Sequence, residues 1–265
     1  MRIWTIARVT LVGFLRNRIL ILLAAVFLCM LLFQLTDVLA MRSAARHFSN
    51  DIPALMGEIG DMLDMIGAFG CLLAAWSAAD TVASEMKSGT ILAVMARPVD
   101  RWEFLLGKYL GVQLLTAIYV GFGFGFIHLL SWIGGQPIQT TTWVLIVYPF
   151  CRLAIYSAMA LFFVTFMHQA LAFGSAVVIA VVADLLKPGD NSLAFVPGAV
   201  RKVAYALFPS TGLLSEDRFV ILTKASLAKI TWDMHVITVA YGLNYALLFF
   251  VLAVWSFRCR SLSRE

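Results

Sequence analysis

A chain of 265 residues that is 62% hydrophobic and only 13% charged is far more apolar than a soluble domain, in which about a quarter of the residues are charged. The apolar residues form continuous runs of about twenty, which predict membrane-crossing helices and exclude the alternating pattern of a transmembrane barrel. The net charge of +5 does not indicate nucleic acid, because lysine and arginine cluster at the ends of these runs, as membrane topology requires. We therefore predict an all-α, polytopic membrane protein with one transmembrane domain over residues 1–265.

Residues 1–18 predict a helix that lies in the membrane interface. Ile3, Ala7, Leu11 and Phe14 recur at helical spacing, while arginines occupy other positions on the wheel and are expected to face anionic headgroups. The alternative is a basic flank to a first span that acts as an uncleaved signal anchor.

Six membrane spans are predicted in the rest of the chain. They lie at residues 19–39, 65–83, 104–132, 143–167, 170–186 and 235–257, with a two-residue hairpin at His168 and Gln169 between the fourth and the fifth. Gly121, Gly123 and Gly125 in the third span are interpreted as helix-packing positions. The connection 187–233 is too apolar for a solvated loop, so we expect short helices there that lie on the outer leaflet or re-enter it.

The distribution of basic residues predicts the orientation of the spans. Residues 1–18 hold arginines and no acidic residue, and the segment between spans two and three and the C-terminal tail are also basic. Both termini and that segment are therefore expected in the cytoplasm. The basic residues of the connection 187–233 argue for the opposite orientation, but long loops cross the membrane with little regard to charge.

The segment of residues 84–104, between spans two and three, concentrates charge in a chain that otherwise has little. Gly89 and Pro98 divide it, and the apolar stretch between them is far too short to cross a bilayer. Helix is predicted to resume at Arg101 and to continue into the third span. We call residues 84–104 the polar segment and interpret it as a docking surface at the membrane edge.

No motif for catalysis, a cofactor or a metal is found in the sequence. Gly107 and Lys108 resemble the end of a phosphate-binding loop, but Trp102 stands where the upstream glycine is required, and Tyr109 replaces Ser or Thr. The four cysteines are scattered singly, so neither a disulfide framework nor a zinc site is predicted.

Arg152 is the one charge that topology does not explain, because it lies well inside span four. Asp184 falls at a similar depth on span five, and an ion pair between them would lower the cost of burying either charge. The alternative is that the Arg152 side chain extends outward past Pro149. His128 and Asn244 are candidates for a substrate path, and interhelical hydrogen bonds are the alternative role for both.

The polar segment and its continuation resemble the cytoplasmic loop of type 2 ABC transporter permeases. The residues 6–20, IARVTLVGFLRNRIL, also resemble the N-terminal interfacial helix of that family, and with the six-span order the resemblance covers nearly the whole chain. The residues of the loop that carry the resemblance are Glu85, Gly89, Thr90, Arg97, Pro98, Val99, Arg101, Phe104, Leu105, Leu106, Gly107, Lys108 and Gly111.

The resemblance implies a permease of an ATP-driven transporter, an exporter, in the bacterial cytoplasmic membrane. It implies pairing with a second permease copy or a paralogue, and docking of separate cytosolic ATP-binding subunits, which would hold the ATP and magnesium. The polar segment would then be the coupling element. Glu85 and Lys87 would form charged pairs with the partner and so fix its docked position. Arg97 and Arg101 would bind carboxylates of the partner. The alternative role for these four residues is anchoring at the membrane edge. The remaining coupling positions are Gly89, Thr90 and Pro98.

Other classes of function stay open at this point. A membrane anchor that recruits a cytosolic ATPase without transport would share the polar segment. A membrane-embedded enzyme is disfavoured because no reactive constellation is found, and a secondary carrier would need ion-coupling carboxylates in mid-span. The apolar spans favour an amphipathic or lipid-like cargo over a polar one.

Overall fold

The structure is a computed structural model. It describes residues 2–45, 52–89, 100–134, 146–185, 209, 214 and 232–259, and seven α-helices lie within these ranges. The helices are α1 Arg2–Phe14, α2 Arg18–Ala45, α3 Ile52–Ser88, α4 Arg101–Gly134, α5 Val147–Val164, α6 Gln169–Leu185 and α7 Trp232–Cys259. Within these ranges no strand is found, so the all-α prediction is confirmed there. The expected short helices of the outer connection lie outside the described residues.

Five of the seven helices are long and apolar enough to cross a membrane. The spans are Arg18–Asp37, Met65–Ser88, Arg101–Leu130, Val147–Val164 and His235–Cys259. The fifth predicted span corresponds to α6, which has 17 residues. At about 1.5 Å per residue it reaches about 26 Å, slightly less than the hydrocarbon thickness of about 30 Å. The sixth crossing of the membrane therefore stays a prediction.

Helix α5 lies at the centre of the bundle and packs against α3, α4, α6 and α7. Most of its residues are buried, and many of them are small, including Ala154, Ser157, Ala158 and Ala160. Small side chains allow neighbouring backbones to approach closely where lipid supplies no hydrophobic driving force between helices. The composition of α5 thus explains its central position.

Contacts along α5 and α7 show that these two helices run parallel. Tyr148 at the start of α5 hydrogen-bonds His235 near the start of α7, and their rings stack. Near the other ends, the Thr165 hydroxyl donates to Ser256 Oγ at 2.8 Å. The end of α5 and the end of α7 therefore lie at the same end of the bundle.

Helix α1 is shorter than the predicted interfacial helix and ends at Phe14, before a turn through Arg16 and Asn17. It packs against α4, where Gly107 faces Ile6 and Gly111 faces Thr10. A Cβ atom at position 107 would lie 2.7 Å from Ile6 Cβ, so the glycine is required for this close approach.

The three glycines predicted as packing positions in span three behave differently from one another. A Cβ at Gly123 would lie 2.9 Å from Ile66 Cδ1, which agrees with a packing role. At Gly121 and Gly125, no described atom lies within 4 Å of the added Cβ, so a packing role for these two stays a prediction. Spacing alone does not reveal which helix face meets a neighbour.

Candidate functional site

Ends of all seven described helices meet at one end of the bundle, and most of the described polar side chains with long-range contacts lie there. We call this region the polar end. It is formed by the α1–α2 turn, the last turns of α3, the first turns of α4, the α5–α6 turn with the start of α6, and the end of α7. The described part of the polar segment belongs to it.

An ion pair joins α3 to α4 across the polar segment. Lys108 Nζ on α4 contacts Glu85 Oε1 on α3, and the two side chains are 7% and 25% exposed. Lys108 Nζ also lies 5.6 Å from the ring centroid of Phe104. The pair fixes the two helices that the polar segment connects, because breaking it would leave a poorly hydrated charge.

A hydrogen-bonded network surrounds Asp80, about one turn deeper in α3 than Glu85. Asn17 Nδ2 donates to Asp80 Oδ2 at 2.6 Å, and Gln169 Nε2 donates to Asp80 Oδ1 at 2.7 Å. Lys87 Nζ in turn donates to Gln169 Oε1 at 3.1 Å. We call these four residues the Asp80 network. It connects the α1–α2 turn, α3 and the first residue of α6.

Asn17 also caps the helix that follows it. Its Oδ1 accepts a hydrogen bond from the Ile19 backbone N–H at 3.0 Å, and its backbone carbonyl accepts from Ile21. An asparagine before the first helical residue satisfies a donor that would otherwise have no partner in the helix. Because this bond fixes the orientation of the amide, the Nδ2 atom is left to face Asp80.

Arg101 at the start of α4 binds the end of α7. Its guanidinium donates to the backbone carbonyls of Phe257 and Arg258, each at 3.1 Å. A cation at these carbonyls satisfies acceptors that the helix leaves unpaired and interacts favourably with its negative end. Sequence reasoning assigned Arg101 to carboxylates of a partner, and that role stays a prediction beside the contact observed within the chain.

We expect Arg101→Met to loosen the last turn of α7 by about 1 kcal/mol, because a cation near a helix C-terminus contributes about that much. Hydrogen exchange at the amides of residues 255–259 should become several-fold faster, while amides in the middle of α5 stay unchanged. Arg16→Met, which removes an exposed charge at the α1–α2 turn, serves as the control. Unchanged exchange at the end of α7 would contradict this role for Arg101.

The two boundaries of the polar segment are shaped by local backbone chemistry. Gly89 follows the last residue of α3 with a φ of 71°, a left-handed conformation that glycine adopts without strain. At the other side, Glu103 Oε2 accepts from the Asp100 backbone N–H at 3.4 Å, half of a capping box at the start of α4. Trp102 is exposed beside it, and its Nε1 donates to Asp100 Oδ2 at 3.3 Å.

The predicted coupling residues fall into two groups. Thr90, Arg97 and Pro98 lie outside the described residues, whereas Gly89 and three charged residues lie within them. Glu85, Lys87 and Arg101 lie together at the polar end, where each contacts another element of the same chain. Their roles toward a partner stay predictions.

The sequence alone does not single out Asn17, Asp80 or Gln169 as site residues, and it marks Lys108 only through the rejected phosphate-binding loop and the family resemblance. A weak signal existed, since Asp80 is the one charged residue inside the predicted second span, residues 65–83. Its partners lie 63 and 89 positions away in the chain, so no local pattern indicates them.

The intramembrane candidates lie on separate helices. Arg152 is half-buried on α5, and Asp184 lies in the last turn of α6, where its side chain is not described. The Arg152–Asp184 pair therefore stays a prediction. His128 Nδ1 on α4 contacts the Phe124 carbonyl of its own helix at 3.0 Å, and Asn244 is exposed on α7. Their assignment to a substrate path stays a prediction as well.

Metal-binding side chains do not cluster in the part of the chain that the structure describes. No group of three or more His, Cys, Asp or Glu residues is found there that could hold an ion. The described contacts of the polar end are an ion pair and hydrogen bonds between helices.

Comparisons with known proteins identify relatives over most of the chain. The family described as ABC-2 family transporter protein matches residues 4–262. The chain is similar to a probable ABC transporter permease protein NosY of Pseudomonas aeruginosa, with 32% identity over 127 residues. It is also similar to a probable ABC transporter permease protein NosY of Stutzerimonas stutzeri, with 31% identity over 124 residues. These alignments cover 46% and 47% of this chain and 43% of each relative, less than half the relatives' length.

Proposed function

Because the chain belongs to the ABC-2 family of transporter proteins, we propose that it is the membrane permease of an ATP-driven exporter and that its ATPase is a separate subunit. The observation that carries the proposal is the polar end, where the polar segment is anchored to helices that continue into the membrane. Energy from a cytosolic ATPase enters a permease through an element that links the cytosol to the spans, and the polar end has that form.

Six membrane crossings follow if α6 spans the membrane, and the contacts of α5 and α7 support this. The starts of α5 and α7 lie together at one end of the bundle, while α6 begins at the other end, beside Asp80. The chain must return to the start of α7, and α6 is the apolar helix available for most of that distance. Six crossings place the N-terminus and the C-terminus on one side, the cytoplasmic side by the distribution of basic residues.

Helix α1 is proposed to lie in the interface of the bacterial cytoplasmic membrane. One face packs on α4 through Ala7 and Thr10, while Trp4, Val9 and Val12 are exposed. Exposed apolar side chains next to arginine suit the boundary between acyl chains and anionic headgroups. The helix would then move with the first turns of α4 and transmit displacement of the polar segment.

The partners proposed are a cytosolic ATP-binding subunit, which holds ATP and magnesium, and a second permease copy or paralogue. Helices α2 and α7 leave many apolar side chains exposed, among them Leu22, Phe33, Leu247 and Trp255. Lipid or a second permease would cover these faces, since the described part of the chain encloses neither spanning helix. The cargo is proposed to be amphipathic or lipid-like, because the spans offer few polar groups to it.

The proposal is tested by purifying the chain together with its ATP-binding subunit and comparing wild type with Arg97→Glu. Arg97 is chosen because Arg101 is engaged with α7, so that a change at Arg101 would also disturb the permease itself. We expect Arg97→Glu to lose most of the bound ATPase subunit through charge repulsion, while the permease keeps its yield and its gel-filtration profile.

The matched control is Arg201→Glu, the same charge reversal in the connection predicted on the outer side. It should leave the association unchanged. Equal retention of the ATPase subunit by Arg97→Glu would remove the docking role of the polar segment. If wild type binds no ATPase subunit, the permease proposal itself fails. Stimulation of ATP hydrolysis by cargo would distinguish a transporter from an anchor without transport.

A further inference from the structure

The Asp80 network joins three parts of the fold through one carboxylate. Both oxygens of Asp80 accept hydrogen bonds, one from the residue that caps α2 and one from the first residue of α6. Lys87, at the far end of the network, is exposed, but Asp80 is half-buried and Gln169 is 9% exposed, so the Asp80–Gln169 bond lies inside the bundle edge. At that depth, hydrogen bonds to a carboxylate are stronger than in water.

The network fixes the position of α6 relative to α3 at two points. Gln169 donates to Asp80 and accepts from Lys87, which lies seven positions further along α3, about two helical turns away. A side chain held at both points resists sliding and rotation of one helix against the other. The neighbouring contact between Trp76 and Phe173, with ring centroids 5.5 Å apart, is apolar and has no such directional requirement.

The network is also close to the proposed coupling element. Lys87 lies in the last turn of α3, two residues before Gly89, where the polar segment leaves the helix. A displacement of this end of α3 therefore acts directly on Gln169 and, through Asp80, on Asn17.

We infer that Asp80 is a positioning residue for coupling, which passes movement of the polar segment to α6 and α2 through its bonds to Gln169 and Asn17. The inference rests on the proposed function, because it requires an ATPase that moves the polar segment. The proposed function does not specify how movement of the polar segment enters the membrane. Here the displacement reaches α6 through the Asp80 network and does not travel along α4 alone.

Two substitutions can exchange the carboxylate of Asp80 with the amide of Gln169 and keep every hydrogen bond of the network. In Asp80→Asn alone, one of the two hydrogen-bond donors facing position 80 loses its acceptor. In Asp80→Asn combined with Gln169→Glu, the new amide accepts from Asn17 and donates to the new carboxylate, which accepts from Lys87. The exchanged pair keeps the same number of donors, acceptors and charges.

The experiment measures movement at the outer end of the bundle in the complex with the ATP-binding subunit, reconstituted in liposomes. Spin labels are placed at Leu129→Cys on α4 and Val182→Cys on α6, both exposed, with Cys29 and Cys259 replaced by serine. The distance between the labels is recorded without nucleotide and with ATP plus vanadate. Asp37→Asn on α2 removes a carboxylate outside the network and is the control.

We expect a nucleotide-dependent distance change in the starting protein and in the Asp37→Asn control. Asp80→Asn should lose the change while retaining the ATPase subunit and basal ATP hydrolysis, and the exchanged pair should regain it. Gln169→Met, which leaves the Asn17–Asp80 bond in place, should also lose it and replaces Asp80→Asn if that variant does not fold.

The outcomes separate this inference from the proposed function. If the starting protein responds to nucleotide and the folded single variants respond equally, Asp80 only stabilises the fold and the inference is overturned. Failure of the exchanged pair to regain the response, or loss of the response in Asp37→Asn, overturns it as well. If the starting protein shows no response to nucleotide, the proposed function fails and the inference fails with it.

Discussion

Lys108→Met is expected to destabilise the folded chain by about 3 kcal/mol, at the lower end of the range for breaking a buried ion pair, because Glu85 keeps a quarter of its side chain exposed. The variant removes the cation and leaves the Glu85 carboxylate at the interface of α3 and α4. Methionine fills a similar volume, so the loss reflects the broken ion pair and not a cavity. Thermal unfolding in detergent, followed by circular dichroism, measures the effect.

The double variant Glu85→Gln/Lys108→Met separates the charge from the packing. With neither charge buried, most of the lost stability should return, because replacing both members of a buried pair costs much less than removing one. Arg8→Met, which removes an exposed cation from α1, is the control and should change the unfolding temperature little. A double variant that is less stable than Lys108→Met alone would contradict the assignment of Glu85 as the residue that loses its counter-charge.

How far the sequence predicts this fold depends on the kind of interaction involved. The spans at α2, α3, α4, α5 and α7 agree with hydropathy to within a few residues at most ends, because the lipid imposes a length and an apolar composition on each one. The membrane constrains the number of helices much more strongly than it constrains their contacts.

Contacts between helices are the part that sequence reasoning located least well. Asn17 and Gln169 lie at turns, where polar residues are common, and nothing in their local sequence indicates that both reach Asp80. Arg101 was expected to face a partner, yet it binds carbonyls that lie 156 and 157 positions away. Such pairings depend on tertiary arrangement, which no periodicity encodes.

These contacts change the roles expected of the charged residues at the polar end. Glu85, Lys87 and Arg101 contact other helices of the same chain, so their charges hold the base of the polar segment against the bundle. Arg97, which lies between Gly89 and Pro98 in the sequence, remains the charge through which docking is proposed. A base held firmly against the bundle transmits displacement of the polar segment to the spans, since a loosely held base would absorb it.

Glycine in α4 provides the second large expected effect, at the contact with α1. Gly107→Leu should destabilise the docking of α1 by about 3 kcal/mol, the upper end of the range for overpacking, because the added Cβ would lie 2.7 Å from Ile6 Cβ and 3.1 Å from the Ile3 carbonyl oxygen. Neither the β-branched side chain nor the helix backbone of α1 can move aside without separating the two helices.

The matched control is Gly121→Leu on the same helix, where no described atom lies within 4 Å of the added Cβ. Leucine there faces outward and is a better helix former than glycine, so this variant should be as stable as wild type or more stable. Limited trypsin cleavage after Arg8 and Arg16 measures the docking of α1, and thermal unfolding measures the bundle. We expect faster cleavage for Gly107→Leu and an unchanged rate for Gly121→Leu. Equal cleavage rates in the two variants would show that α1 does not depend on this contact, and its proposed movement with the first turns of α4 would then have no physical basis.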